Sequence, residues 1–398
     1  MDEAALSAEI ESHTEGRGSG FSLEVVEDLS TVEPAWRTLE ERTTASPYQR
    51  FDWIRSFRNA GADRGTKLRV VFVRDGQGRP VMILPLSIAR QSGFRIGSFV
   101  GGKHANFKLP LTSDSSLALR MNSAEQRSLL LRAGREMGVD AFDLELVPRV
   151  WHGEPVALAE GGRPSPSNAY SVRLVADGDV ALKKAMSPEG RRKLRNKENT
   201  LRKLGAVEFQ IARDAAEVQQ ILDAFFEQKA DRFREQGIRN PFSGSAETFI
   251  REASLCGLKE GRPAIELYAL VLNARIIAAF GAAADARRIS GMFISFDPEF
   301  AKWSPGDQLV AKVVSDSAGR GRAVFDLGVG EAEYKSRFCR EVEELVDVLI
   351  PVNARGQLYV AARMATIEMK RRVKQSGAAM EVVRSLRRMR ARVAALQL

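Results

Sequence analysis

Cysteine is nearly missing: Cys256 and Cys339 are the only two in 398 residues. Two thiols cannot staple a domain framework, so the fold must rest on its apolar core, and a reducing cytoplasm suits such a chain. Histidine is scarce as well, at three residues, which leaves too few ligands for a conventional zinc cluster. No apolar run reaches the roughly 20 residues that a membrane-spanning helix needs. The start, Met1-Asp-Glu-Ala-Ala-Leu, is acidic and lacks the basic segment and apolar stretch of a secretory signal. Nothing resembles a phosphate-binding Walker loop, a G-x-S-x-G nucleophile elbow or a zinc-binding H-E-x-x-H helix.

What is present is a 44% apolar chain of mixed charge, long enough for two packed cores. Its net charge of +9 gathers in two places. One stretch runs from Lys183 and Lys184 through Arg191, Arg192, Lys193, Arg195 and Lys197 to Lys203; the other runs from Lys370 to Arg392. Such stretches attract phosphates, anionic polymers or anionic lipid, or serve as solvated helix faces.

Residues 1–20 are polar and glycine-rich near their end, which predicts a disordered leader. A strand is then expected at Phe21–Val26, a helix from Thr31 to Thr43 capped by Thr31, and a second helix at Phe51–Phe57. Strand, turn and strand follow over Leu68–Val73 and Pro80–Ile88, then a short strand at Phe94–Val100. A helix at Ser123–Met137 and a strand at Ala141–Leu146 complete the series. The second half repeats this order. It has a strand at Val207–Ile211, helices at Ala215–Arg234 and Ala246–Cys256, and strands at Ile265–Leu272, Ile276–Ala283 and Arg288–Phe296. A helix opening at Ser304-Pro305 and a strand at Ala323–Leu327 end it. Phe142-Asp-Leu144 and Phe325-Asp-Leu327 occupy equivalent slots. The fold class expected is α/β, a tandem duplication of one unit with a mixed, mostly antiparallel sheet flanked by helices. The units would span residues 21–160 and 168–352, with the breaker-rich Gly161–Asn168 as an exposed link. A basic helix at Ser187–Leu204 would follow the link. Residues 356–398 would form a basic helical tail, packed on the body or lying on anionic membrane.

Past the last strand, Gly328-Val-Gly330 allows a sharp turn, and Glu331, Glu333, Tyr334 and Lys335 come at once. The run from Phe325 to Phe338 resembles the D-x-G-x-G…Y-K…F ending of a GNAT acyltransferase subgroup. That subgroup includes CelD-like proteins of cellulose biosynthesis and is distantly related to the FemAB aminoacyltransferases. The resemblance implies that acyl-CoA, acetyl-CoA first, is a co-substrate and that no cofactor is held permanently. It places Phe293, Ile294, Ser295 and Phe296 beside the pantetheine arm where two central strands part. It places Ser304, Gly306, Asp307 and Gln308, at a helix mouth, against the pyrophosphate. Lys302–Asp307 departs from the family's Q/R-x-x-G-x-G/A loop, and Asp307 sets a negative charge where phosphates would sit. A different donor, aminoacyl-tRNA among them, therefore stays open.

Acyl transfer needs a base for the nucleophile and an acid for the leaving group. Tyr334 is the candidate acid, Asp326 or Glu331 the base, and Lys335 the stabiliser of charge on the carbonyl oxygen. His104, Asp231, Arg232, Arg239 and Asn240 are candidates for the acceptor side. The expected function is transfer of an acyl group to an amine or hydroxyl of a small-molecule or saccharide acceptor, in exopolysaccharide or cellulose biosynthesis. The place would be the cytoplasm, at the periphery of the inner membrane. The alternative is a non-catalytic scaffold of a polysaccharide synthase at the membrane surface. Nucleic-acid binding through Arg191–Lys203 ranks last, because stacking aromatics are missing nearby.

Overall fold

The structure is a computed structural model that describes residues 21–42, 45–113 and 121–375. The expected leader at 1–20 and the end of the tail at 376–398 lie outside the described residues. The first unit contains β1 (Phe21–Val26), α1 (Leu29–Glu40), α2 (Phe51–Asn59), β2 (Lys67–Asp75), β3 (Pro80–Gln91), β4 (Phe94–Phe99), α3 (Ser123–Met137) and β5 (Ala141–Pro148). A connecting stretch carries β6 (Ala169–Arg173), α4 (Gly178–Ala185) and the basic α5 (Pro188–Leu201). The second unit contains β7 (Val207–Ile211), α6 (Ala215–Glu235), α7 (Ser245–Leu255), β8 (Glu266–Leu272), β9 (Arg275–Ala284), β10 (Arg288–Phe296), α8 (Pro305–Gly319), β11 (Val324–Val329) and α9 (Glu333–Phe338). Last come β12 (Leu345–Pro351) and α10 (Ala354–Gln375).

Local chemistry explains the ends of these elements. Asp28, not Thr31, caps α1, its carboxylate accepting from the Ser30 amide at 2.9 Å; a carboxylate outcompetes a hydroxyl for that role. Asn122 and Glu125 form a reciprocal capping box at the start of α3, and Gly138 ends it with φ at 63°.

The first sheet runs β1-β2-β3-β4-β5-β12 and the second runs β7-β8-β9-β10-β11-β6. β12 and β6, each followed only by a short edge strand (Arg163–Pro164 and Glu341–Glu343), are exchanged between the sheets. β12 follows the second unit in the chain but pairs with β5; β6 follows the first unit but pairs with β11. A division at 168–352 thus separates β12 from its sheet, because order along the chain says nothing about the pairing partner. The stretch at 161–168 is not a free link either. Arg163-Pro164 pairs with β12, and the buried Ser165 hydroxyl bonds Asp347.

One apolar cluster unites Trp36, Trp53 and Phe107 of the first unit with Phe225, Phe249 and Phe293 of the second. The rings of Trp53 and Phe249 meet edge to face at 4.9 Å. Arg50 donates across the seam to the carbonyls of Pro263 at 3.0 Å and Ala284 at 2.9 Å. α10 packs on the first sheet through Tyr359, Val360 and Ile367, so the described part of the basic tail lies on the body.

Each sheet has one parallel seam, and each seam opens. β10 and β11 pair only where Arg288, Ile289 and Ser290 face Val324, Phe325 and Asp326. β4 and β5 pair only where Ile96 and Gly97 face Ala141 and Phe142. Beyond these contacts the strands part.

Candidate active site

Asp326 stands at the last paired position of the second unit and is fully buried. One carboxylate oxygen accepts from Arg288 Nε at 2.8 Å and from the Ser290 hydroxyl; the other accepts from the Gly328 amide at 2.9 Å. Burial pushes its pKa up and the Arg288 charge opposes that. Both oxygens are committed, so Asp326 is an anchor for the turn after β11 and does not fit the role of base.

Two groups hold the backbone beyond it, and one of them, Asn106, crosses the opening. Asn106, from the first unit, donates to the Gly291 carbonyl at 3.2 Å and accepts from the Val329 amide at 3.2 Å. A Cβ on Gly328, whose φ is 71°, would come within 2.4 Å of the Asn106 amide, so the turn requires glycine. Lys335 is buried and donates to the carbonyls of Gly328 at 3.2 Å and Val329 at 2.8 Å. Burial lowers its pKa to about 8. Glu331 is exposed on the turn.

The mouth of α8 lies against the far end of β10: a Cβ on Gly306 would sit 3.5 Å from Ile294 and 3.6 Å from Phe296. Ser304 precedes the helix in a left-handed conformation, φ 53°, and makes no capping bond. Its hydroxyl instead accepts from Lys197 of α5 at 2.6 Å. The expected hydroxyl cap is therefore a lysine contact. Asp307 is paired with Arg337 at 2.7 Å, which neutralises its charge at this spot. Gln308 donates to the Trp303 carbonyl at 2.9 Å, while its buried Oε1 has no partner. Lys193, Lys197, Arg337 and Arg340 surround this mouth, lining a cleft of about 530 Å³. Lys312 of α8 holds Glu198 of α5 at 3.0 Å and so fixes the basic helix over the cleft. The basic stretch is plain in the sequence; its seat on α8 is not.

The four expected strand residues alternate, as a pleated strand dictates. Phe293 packs on the α6 side against Phe225, ring centres 4.3 Å apart, and the Ser295 hydroxyl bonds Gln228 at 2.7 Å. Ile294 and Phe296 lie on the α8 side, against the second core. Arg232 of α6 stands 6.0 Å from the centre of the Phe296 ring. Tyr334 rests half-buried on the second core, and its hydroxyl makes no hydrogen bond among the described residues. Burial raises its pKa, and the neighbouring Arg232 charge works against that. One turn before Arg232, Lys229 lies beside the rings of Phe242, at 5.7 Å, and Phe233, at 5.8 Å. Burial, aided by Arg232, lowers the Lys229 pKa to about 8. Nothing in the local sequence separates Lys229 from an ordinary surface lysine of an amphipathic helix; the signal is the aromatic packing.

Of the acceptor-side residues, His104, Arg239 and Asn240 share one cleft of about 450 Å³ between the two units. The His104 ring packs near Phe57 and Phe249, and burial drops its pKa to about 4, so it is neutral. Only Ala105 separates it from Asn106, a span of at most about 7 Å. Asn240 caps its own turn by accepting from the Phe242 amide at 2.9 Å. Asp231 is not part of this group: it pairs with Arg234 at 3.0 Å and lines a cleft along β7 and α6.

Residues 188–336 match the family described as Acetyltransferase (GNAT) domain, and the second unit has that fold. No curated protein matches the chain. Among solved structures, FemX superposes with a TM-score of 0.59 at 11% identity, covering 84% of this chain and 99% of that one. A conserved protein of unknown function from Bacteroides thetaiotaomicron VPI-5482 superposes with a TM-score of 0.53 at 12% identity, covering 83% of this chain and all of its own. At these identities the likeness is one of fold: both units together, not the second alone, share their architecture with these chains.

Proposed function

We propose that the second unit, whose fold is that of GNAT acetyltransferases, moves an acyl group from acyl-CoA to an amine or hydroxyl acceptor. The observation that carries the reading is the cationic cleft at the mouth of α8, set beside the parted end of β10. The donor's phosphates are held by Lys193, Lys197 and Arg340 with the first-turn amides of α8, Asp307 being already neutralised by Arg337. The thioester lies along Ile294 and Phe296. The acceptor, from the His104 side, attacks the carbonyl carbon and gives its proton to neutral Lys229, or to Glu331 through water. The carbon–sulfur bond breaks, and the thiolate takes the proton of the Tyr334 hydroxyl. Lys335 supports the turn that carries Tyr334. The likeness of Phe325–Phe338 to CelD-like proteins supports a saccharide acceptor in exopolysaccharide synthesis.

The test is a melting-temperature series with acetyl-CoA, longer acyl-CoAs and free CoA, followed by thiol release with amine and sugar acceptors. Ligands that bind the native state raise the melting temperature. A flat series with no thiol released sinks the proposal. One observation favours a second reading, a non-catalytic scaffold: Asn106 bridges the opening with hydrogen bonds to both strands. A scaffold leaves the membrane fraction when residues after 375 are removed, without any CoA binding to lose.

A further inference from the structure

The opening in the first unit is built differently and is served by the same segment. Asn106 reaches into the second unit's opening; Lys108, two residues on, enters the first. The pairing of β5 with β4 ends at Phe142, the Lys108 amide next meets β5 at the Leu146 carbonyl, 3.1 Å away, and α10 packs against this end of the sheet. Asp143 Oδ2 accepts from Tyr359 Oη at 2.7 Å and from Arg363 Nε at 2.6 Å, while Arg363 also pairs with Glu145. A cavity of about 580 Å³ remains, lined by Phe94, Ser98, Phe99, Lys108, Asp143 and Arg363, a size typical of small-molecule sites.

Two charged atoms in it are unmet. Asp143 is 5% exposed, and its Oδ1 is buried with no hydrogen-bond partner. Lys108 is 4% exposed, and its ammonium makes no hydrogen bond among the described residues, although Asp143, Glu145 and Asp347 all act on it. Leaving either group unpaired in an interior is costly. One needs a donor and the other an acceptor. A hydroxyl is both, and neighbouring hydroxyls on a ring reach both at once. A free anion would meet the carboxylates of Asp143 and Glu145 here, and a free cation would meet Lys108 and Arg363. Phe94 and Phe99 offer the apolar surface on which the C–H face of a pyranose rests.

We propose that the opening of the first unit is a binding site for a neutral saccharide unit, with Asp143 and Lys108 holding vicinal hydroxyls. The proposal does not depend on acyl transfer by the second unit, since it concerns binding alone. The experiment is saturation-transfer NMR and calorimetry on the full chain with cellobiose, D-glucose and N-acetylglucosamine, and with acetate and ethanolamine as charged probes. A saccharide is expected to bind, and to bind at least about tenfold more weakly to Lys108→Met and to Thr366→Trp. The second variant blocks the mouth from the surface of α10 and keeps the melting temperature, so its loss of binding is not a loss of fold. Three results overturn the proposal: no saccharide binds, so that the cavity holds water only; acetate or ethanolamine binds in preference; or saccharide binding is unchanged in both variants.

Discussion

The two parallel seams differ in what fills them. In the second unit the polar residue that closes the seam, Asp326, is consumed by Arg288, Ser290 and Gly328, and backbone groups beyond it are met by Asn106 and Lys335. In the first unit the equivalent Asp143 keeps a free oxygen beside Lys108, whose ammonium makes no hydrogen bond among the described residues. The same place in one architecture thus serves as an anchor in one copy and as a hollow in the other. The difference lies in the partner: a fully enclosed Arg288 from the neighbouring strand, against a partly exposed Arg363 from a helix laid on afterwards.

The sharpest break of this comparison is the pair of alanine substitutions. Asp326→Ala takes from the buried Arg288 its fully enclosed partner, leaving it only the less buried Glu343, strips the Gly328 amide of its acceptor, and should lower unfolding free energy by about 3–5 kcal/mol in urea titrations. Asp143→Ala should cost clearly less, because Arg363 has access to solvent where Arg288 has almost none, each arginine keeping a second carboxylate; equal costs would erase the contrast. Next, Lys229→Met should cut thiol release by about a hundredfold or more. Only neutral Lys229 takes a proton, so the wild-type rate should climb as pH rises through about 8, and the variant should lose that limb. A limb that persists in the variant would move the base to another residue. Asn106→Ala removes the bridge across the second opening and should cost about 1–3 kcal/mol, read as a lowered melting temperature. The smallest effect concerns His104. Its folded pKa of about 4 lies below the ordinary 6.5, so the neutral ring favours folding. That contribution is whole above pH 6.5 and fades as pH falls toward 4, by on the order of 1 kcal/mol after screening. His104→Gln should flatten this part of the stability profile.

Much of the fold was legible from local pattern. The alternating and apolar runs place β1, β7 and β10 within a residue of where they lie, and the helix read at Ser123–Met137 coincides with α3. The match of Phe142-Asp-Leu with Phe325-Asp-Leu correctly aligned the two halves, since both triplets sit at the parallel seams. Asp326 misled for a physical reason: a carboxylate after an apolar strand looks free until a cation 38 residues away is folded onto it. Lys229, Asn106 and Lys108 were hidden because their meaning comes from tertiary contacts: an aromatic ring beyond the end of its helix for Lys229, the other unit's strands for Asn106, and carboxylates far along the chain for Lys108. The exchange of β6 and β12 was hidden for the same cause: a short apolar run declares a strand but never its neighbour.

That exchange carries a consequence for how the protein is made. The sheet begun by residue 21 lacks its last ladder until residues 345–351 have left the ribosome. During synthesis the N-terminal half must therefore wait with the edge of β5 uncovered, a slow, long-range closure that invites chaperone capture. Neither half expressed alone would carry all its strands, whereas the two halves produced together as separate polypeptides could trade them and assemble.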